Sequence, residues 1–375
     1  MDGVKFIDLT KTVALVEEQS YEAWREVLSS KGFIHGKHTA QVEQKLAARL
    51  GVRHAICCAN GTDALVMGLM AAGIGKDDWV AVPNLTFWAS AEAPAMLGCN
   101  IVLIDVGADL HLDFEAFKAA AKAHPLKAVV LANLFGWAST ALADIRAFCT
   151  AEGIAMIEDG AQSFGVEVDG RPVYADAQIS TLSFYPAKVI GGCMDGGAVM
   201  TNDDELAKRL RSIANHGRAE HYSYAHVGMN SRMAELNAAY LTRLLDHADT
   251  ILDGRREAFA AYRARLSDVP GLTFYDVPAG QTGNGYLTML THERLTGDEM
   301  VARLKERNIF CGRVYPETMD AQPPGKAWTR FGSLARSQAL TRHLFSLPLY
   351  YGIEPAAVQH VCDTLIEVLK SEGNT

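Results

Sequence analysis

The sequence predicts an α/β protein, with a mainly parallel central sheet covered by helices and a smaller α+β unit at the C-terminal end. Two patterns carry that expectation. From His54 to Gly191, short and nearly continuous apolar runs alternate with helical stretches, which is how strands buried on both faces of a parallel sheet read in sequence. Beyond Asp204 the alternation gives way to long helices and then to sparser strand patterns. A chain of 375 residues suffices for two packed units. We place their boundary inside a helical connection at Asp246, giving 1–245 as the large unit and 246–375 as the small one.

Each element has its own signal. The segment "YEAWREVLSSKGFIHGKHTAQVEQKLAARLGV" carries apolar residues at helical spacing broken by glycine turns, and predicts two helices. Next, "HAICCANGTDALVMGLMAAG" predicts a strand, a turn at Asn60-Gly61-Thr62-Asp63 and an apolar helix. The alternation recurs through "WVAVPNLTFWASAEAPAMLG", "NIVLIDV", "AFKAAAKAHPLKAVVLANLFG", "DIRAFCTAEGIAMIEDGAQSFG" and "AQISTLSFYPAKVIG". Long helices follow between "DELAKRL" and "AYRARL", and strands are expected near "GYLTML" and "NIFCGRVYP". In a parallel sheet the loops that follow the strands share one edge, and ligands collect there.

Composition narrows the function. The net charge is −9 and the Lys and Arg residues are scattered, which argues against a nucleic-acid surface or an anionic membrane. The Met-Asp-Gly-Val-Lys start lacks a secretory pattern and no apolar run is long enough to span a bilayer, so the cytoplasm is the expected compartment. Seven cysteines form an odd set without Cys-x-x-Cys, and the histidines show no His-Glu-x-x-His; reduced thiols and no metal are expected. The glycines at 191–192 and 196–197 follow neither the P-loop order nor a Gly-x-Gly-x-x-Gly helix start, which weakens nucleotide hydrolysis and a nicotinamide oxidoreductase.

Chemistry-bearing residues fall just past the expected strands: Gly61-Thr62, Phe87-Trp88, Asp159 with Gln162, and Ser183 with Lys188. Asn60-Gly61-Thr62-Asp63 opens a helix, where free N–H groups and the positive dipole end favour an anion; an ordinary N-cap by Asn60 or Thr62 is the competing reading. Asp159 ends the "IAMIE" run before small residues, so its carboxylate either meets a cation or metal or caps the next turn. Lys188 lies between Pro186-Ala187 and Val189-Ile190-Gly191-Gly192. Desolvation there would lower its pKa and make it a nucleophile or base, whereas a loop lysine can also snorkel to water. The local sequence leaves each of these pairs of readings open.

The strings "CANGTDAL", "IEDGAQSFG", "STLSFYPAKVIGG", "DGGAVMTND", "NHG" and "GMNSRMAELNAA" occur in the order in which they stand in the DegT/StrS family, and the chain resembles that family over nearly its whole length. The family consists of nucleotide-sugar aminotransferases that use pyridoxal 5′-phosphate (PLP) on the aspartate-aminotransferase fold, known as PLP fold type I. The resemblance implies that Lys188 binds PLP covalently and later moves the proton between the amino acid Cα and the cofactor, and that Asp159 keeps the pyridine nitrogen protonated. It implies phosphate ligands at Gly61, Thr62 and Ser183, a stacking aromatic at Phe87 and a polar neighbour at Gln162. Asn230 matches an asparagine that reaches the cofactor of the other subunit, which implies a homodimer with sites at the interface. Tyr315, in "RVYPE", resembles a tyrosine near the sugar. Trp88 is larger than the pattern leads one to expect, and Trp137 in "NLFGWAST" replaces the usual Gln or His, a departure that bears on sugar contacts and not on PLP chemistry. Lys188 also stands where one branch of dehydratases has histidine, so the resemblance favours amino transfer.

The function expected from this resemblance is transfer of an amino group from L-glutamate to a ketone of a nucleotide-linked sugar, with 3-amination of a UDP-3-keto-hexose ranked first and 4-amination of a 4-keto-6-deoxy sugar second. Surface-polysaccharide or amino-sugar synthesis is the expected setting. A PLP-binding regulatory protein without turnover is the alternative of another class.

Overall fold

In the computed structural model, which describes residues 3–373, seven strands make the body of the central sheet. They are β1 (His54–Cys58), β2 (Trp79–Pro83), β3 (Asn100–Ile104), β4 (Leu126–Ala132), β5 (Ala155–Asp159), β6 (Ile179–Ser183) and β7 (Gly197–Thr201). Their spatial order is β1-β7-β6-β5-β4-β2-β3, and the short strand Thr329–Arg330 adds in parallel at the β3 edge. All pairings from β6 across to β3 are parallel, while β7 runs antiparallel to both β1 and β6.

Residue alternation explains the continuous apolar runs. Val80, Val82, Ile101 and Leu103 enter the core on one face of the sheet, and Ala81, Val102 and Ile104 enter the core on the other. Both faces are covered, so neither set can be polar. The helix Gly61–Ala71 is apolar on most of its circumference, with Ala64 to Leu69 all buried, because it packs beneath the sheet and against neighbouring helices at once.

β7 has a specific consequence for the site. Gly197 pairs with Cys58 on one side and with Ser183 on the other. The ends of β1 and β6 are therefore held one strand apart, and the turn after β1 lies beside Ser183. Burial leaves Cys57, Cys58, Cys149 and Cys362 inside as free thiols, and pushes the Cys149 thiol up to about 12, consistent with inert packing groups.

Beyond the large sheet, Leu272–Phe274, Thr288–His292 and Phe345–Leu347 form an antiparallel sheet with Thr288–His292 in the middle. A separate core joins it to the helices Ala248–Leu266 and Pro355–Gly373 through Tyr262, Leu290, Phe345, Val361 and Leu365. The boundary expected at Asp246 falls where the helix Glu235–Asp246 ends and Ala248–Leu266 begins. The segment "NIFCGRVYP" differs from expectation and forms no regular strand. Ile309 bridges to Val4 and Gly312 to Ser346, one residue each, so successive residues engage different neighbours and no ladder can build. Among the described residues no helix is long and apolar enough to cross a membrane.

Candidate active site

The carboxyl edge of the large sheet opens onto a cavity of about 870 Å³. Gly61, Thr62, Phe87, Asp159, Gln162, Ser183, Lys188 and Tyr315 all line it. Asn230 does not: it is exposed, lies outside the wall of that cavity and bridges Asn215.

One end of the cavity is the start of the helix Gly61–Ala71. Asn60 caps it, its side chain accepting from the Asp63 N–H at 2.8 Å, and the intrahelical ladder begins with Ala64 N–H donating to Asn60 O. The N–H groups of Gly61 and Thr62 precede that ladder and carry no intrahelical bond. Capping and anion binding are therefore compatible here, because they use different N–H groups. A side chain at 61 would not fit: its Cβ would stand 2.8 Å from Ser183 Cβ and 3.1 Å from Ser183 Oγ. The glycine thus allows backbone N–H groups and the Ser183 hydroxyl to converge on one small volume, a cradle for a phosphate.

Asp159, the last residue of β5, is 7 % exposed. One carboxylate oxygen accepts from Ser90 Oγ at 2.8 Å and the other from the Ala161 N–H at 3.1 Å. Asp159 does cap its own turn, yet it also faces the cavity. Ser90 is held in turn by Thr86 at 2.9 Å, which fixes the carboxylate's orientation.

Lys188 is half-buried, and its amine lies 5.3 Å from the centre of the Tyr286 ring. The chain after it doubles back tightly. Gly192 N–H donates to Phe184 O at 2.7 Å, and a Cβ on Gly191 would come 2.1 Å from Pro186 O, so the glycines permit a close backbone return that presents Lys188 at the cavity wall. Asn237, fully buried, holds this loop by donating to Asp195 O at 3.0 Å and accepting from the Met194 N–H.

The opposite wall comes from distant segments. Gln162 donates to the Tyr315 hydroxyl and accepts from the Phe135 N–H at 2.6 Å. Burial, with Tyr286 and Asp159 nearby, holds the Tyr315 phenol well above its ordinary pKa. Phe87 is 53 % exposed and its ring centre is 6.5 Å from that of Tyr315, leaving a free aromatic face over the cavity. Trp88 instead stacks on Trp328 at 5.4 Å, and Trp137 is buried with its Nε1 donating to Asp109 O; neither lines the cavity. Sequence reasoning missed Phe6 to Leu9, Thr12, Arg255, Tyr286 and Tyr350, all of which do. It also missed Asn284, fully buried, whose amide donates to Gln162 O and Phe164 O and accepts from the Tyr286 N–H. A buried asparagine tying three backbone groups has no pattern in the linear sequence.

A sequence profile described as the DegT/DnrJ/EryC1/StrS aminotransferase family matches residues 15–366. The chain belongs to that family. Among curated relatives it is 32 % identical, over 96 % of this chain and 99 % of the other, to the UDP-2-acetamido-2-deoxy-3-oxo-D-glucuronate aminotransferase of Pseudomonas aeruginosa. It is also 31 % identical, over 97 % and 98 % of the two chains, to a protein of Geobacillus stearothermophilus named pleiotropic regulatory protein. Among solved structures, a DegT/DnrJ/EryC1/StrS aminotransferase from Brucella abortus superposes with a TM-score of 0.92 at 34 % identity, over 97 % of this chain and 99 % of that one. The protein is an aminotransferase of PLP fold type I, and enzymes of this family depend on PLP.

The site suits that cofactor on its own geometry. Gly61, Thr62 and Ser183 offer an anion seat that a Cβ would close, Phe87 offers a free ring face, and the fixed Asp159 carboxylate suits a protonated ring nitrogen. Lys188 supplies a primary amine on the same cavity.

Proposed function

We propose that this enzyme moves an amino group from L-glutamate to a ketone on a nucleotide-linked sugar, with 3-amination of a UDP-3-keto-hexose as the best-matched reaction. The observation that supports it most is the convergence of Lys188, Asp159 and the Gly61–Thr62–Ser183 cradle on one cavity. The named activity of the Pseudomonas relative supports the choice of carbon and nucleotide. Bound PLP supplies an electron sink for the pair left at the substrate's reacting carbon. Lys188 takes up and returns the proton at that carbon, acting as base in one half-reaction and as acid in the other. Asp159 holds the ring nitrogen's proton by charge. Ser183 and the helix start at Gly61 fix the phosphate, so that the reacting carbon stays within reach of Lys188. Phe87 holds the ring plane, Gln162 and Tyr315 border the space left for the sugar, and biosynthesis of amino sugars for surface polysaccharide is the setting this reading implies.

The working unit in this reading is a cytoplasmic homodimer, because Asn230 is exposed and outside its own cavity and would serve the neighbouring subunit's phosphate. Mixed dimers of Lys188→Ala and Asn230→Ala chains test this: one intact site per dimer should restore part of the activity that each variant alone lacks, and no restoration sinks the shared site.

The deciding experiment is the absorbance of the PLP-loaded protein before and after L-glutamate, followed by addition of UDP-3-keto and 4-keto-6-deoxy sugars. Loss of the PLP band with glutamate and its return with a 3-keto sugar is the expected result; return with the 4-keto sugar alone favours the second choice of carbon. A protein that binds PLP and stays unchanged with several amino donors fits the regulatory reading, which the name of the Geobacillus relative favours.

A further inference from the structure

We propose that Trp88 and Trp328 form a clasp that sets the gap between Phe87 and Tyr315, which makes Trp328 a positioning residue for the sugar; this role rests on the amino transfer proposed above. Trp88 begins the helix Trp88–Met96, directly after Phe87. Its indole stacks on that of Trp328, with ring centres 5.4 Å apart and planes 20° from parallel. Both rings are half-buried and neither lines the cavity, whereas Phe87 and Tyr315 both do. The pair therefore reaches a substrate only through the residues it holds. The size of Trp88, unexpected from the family pattern, has its counterpart in Trp328.

The stack is one of two attachments to the same loop. The segment 316–334 leaves Tyr315 and, although it follows the small unit in sequence, it lies on the large one. Met319 and Leu334 enter the core that contains Val80, Val82 and Leu103, and Thr329–Arg330 pairs with β3. The other attachment is at Asn84, which is fully buried. Its backbone O accepts from the Met319 N–H at 2.9 Å, its side-chain oxygen accepts from the Asp320 N–H at 3.0 Å, and its amide donates to the Asp320 carboxylate at 3.0 Å. Asn84 precedes Phe87 in this loop and Trp88 follows it. The segment thus grips the loop on both flanks of Phe87.

Tyr315 needs such a hold. Its φ of 56° lies in the left-handed region, which a bulky residue keeps only where its surroundings enforce it. On one side of it Gly312 bridges to Ser346 in the small unit's sheet; on the other, Met319 is bonded to Asn84 of the large unit. Tyr315 sits at the crossing between the two units, with the Phe87 ring 6.5 Å away across the cavity. No strand ladder joins these two residues, so the clasp sets their separation. Loss of the indole stack leaves the loop held by the segment on one flank only.

Trp328→Ala, Trp328→Phe and Tyr315→Ala test this in the PLP-loaded protein. The circular dichroism of the PLP band, which depends on the rings fixed around the cofactor, should lose intensity in Trp328→Ala. The ketosugar concentration for half-maximal rate should rise about 10-fold, the scale of one aromatic stack, at an unchanged limiting rate and with the glutamate half-reaction unmoved. Trp328→Phe keeps a ring against Trp88 and should restore most of both. In a Tyr315→Ala background Trp328→Ala should add under about 2-fold, because its effect passes through Tyr315. Dichroism and ketosugar dependence equal to wild type in Trp328→Ala, with or without a lower melting temperature, would reduce the stack to packing and overturn the proposal. A full 10-fold rise on top of Tyr315→Ala, the same scale of about one stack, would overturn it as well. Should Trp328→Ala not fold, Trp328→Leu, which keeps apolar volume without a ring, carries the comparison. A wild type that binds PLP but ignores glutamate would refute the transaminase reading instead, and the dichroism would still decide the clasp.

Discussion

The two walls of the cavity are built on different principles. The sheet-edge wall, with Gly61, Asp159, Ser183 and Lys188, takes each residue from the last position of a strand or from the segment that leaves one, and the strand ladder sets their spacing. The facing wall, with Arg255, Tyr286 and Tyr315, is assembled from segments scattered over the C-terminal third and joined by side chains that grip backbone groups or, at Tyr315, another side chain. A ladder places residues whatever their side chains are. A wall held by single side chains can be lost by changing one of them.

The difference predicts where substitutions act. Lys188→Ala removes the amine proposed to react on the ladder-built wall, and no strand depends on that side chain. Activity should fall by about 10³-fold or more, since a positioned acid/base alone contributes about 10²–10⁴-fold, while the melting temperature stays close to wild type. Glutamate-driven bleaching of the PLP band, measured beside a thermal melt, checks both halves; a large drop in melting temperature would break the claim that the loop is held independently of Lys188.

Asn284→Leu acts on the other wall. It removes the partners of Gln162 O, Phe164 O and the Tyr286 N–H in a site that is fully buried. Each unsatisfied buried group costs about 1–3 kcal/mol, so a loss of about 3 kcal/mol or more is expected in urea unfolding. A variant within about 0.5 kcal/mol of wild type, the range of an inconsequential surface change, would show that the facing wall does not hang on this residue.

Gly61→Ala tests the ladder-built wall by crowding. The new Cβ would meet Ser183 Cβ at 2.8 Å and its Cα at 3.4 Å, so the end of β6 must give way at a cost of about 1–3 kcal/mol. Retention of PLP through dialysis should fall more than stability does, because the displaced groups are the ones proposed to cradle the phosphate. Undiminished retention would mean that the phosphate sits elsewhere.

The same contrast decides what could be read in the sequence. A strand buried on both faces must be apolar throughout, and the loop after it must turn, so "IEDGAQSFG" and "SFYPAKVIGG" announce both their fold and their place at the edge. Lys188 could not be given a role from its own neighbours, but its register beside Asp159 and Gly61 follows once β7 is known to lie between β1 and β6. That antiparallel strand, "GAVMT", reads in sequence like its parallel neighbours, so pairing direction was not legible. Arg255 and Asn284 were illegible for another reason. Their partners are carbonyls 30 or more residues away for Arg255, and up to 122 for Asn284, and a carbonyl carries no sequence signature. "NIFCGRVYP" has the apolar content of a strand, yet its neighbours on the two sides each offer one residue.

The smallest effect separates the walls by pH. Tyr315→Phe removes the hydroxyl that accepts from Gln162, at a cost of about 0.5–1.5 kcal/mol at neutral pH. The folded protein holds the Tyr315 phenol well above its ordinary range through burial, whereas the unfolded chain releases that proton near pH 10. Above that pH the folded state binds more protons than the unfolded one, so the stability contributed by this group falls as pH rises, by up to about 1.4 kcal/mol per pH unit. The Phe variant lacks that slope. The gap in urea midpoint between wild type and Tyr315→Phe should therefore narrow between pH 9 and pH 11, because only the wild type loses the protonated phenol's share. A gap that stays constant over that interval would place the Tyr315 hydroxyl in contact with water, and the facing wall would then be open where the Gln162 bond now closes it.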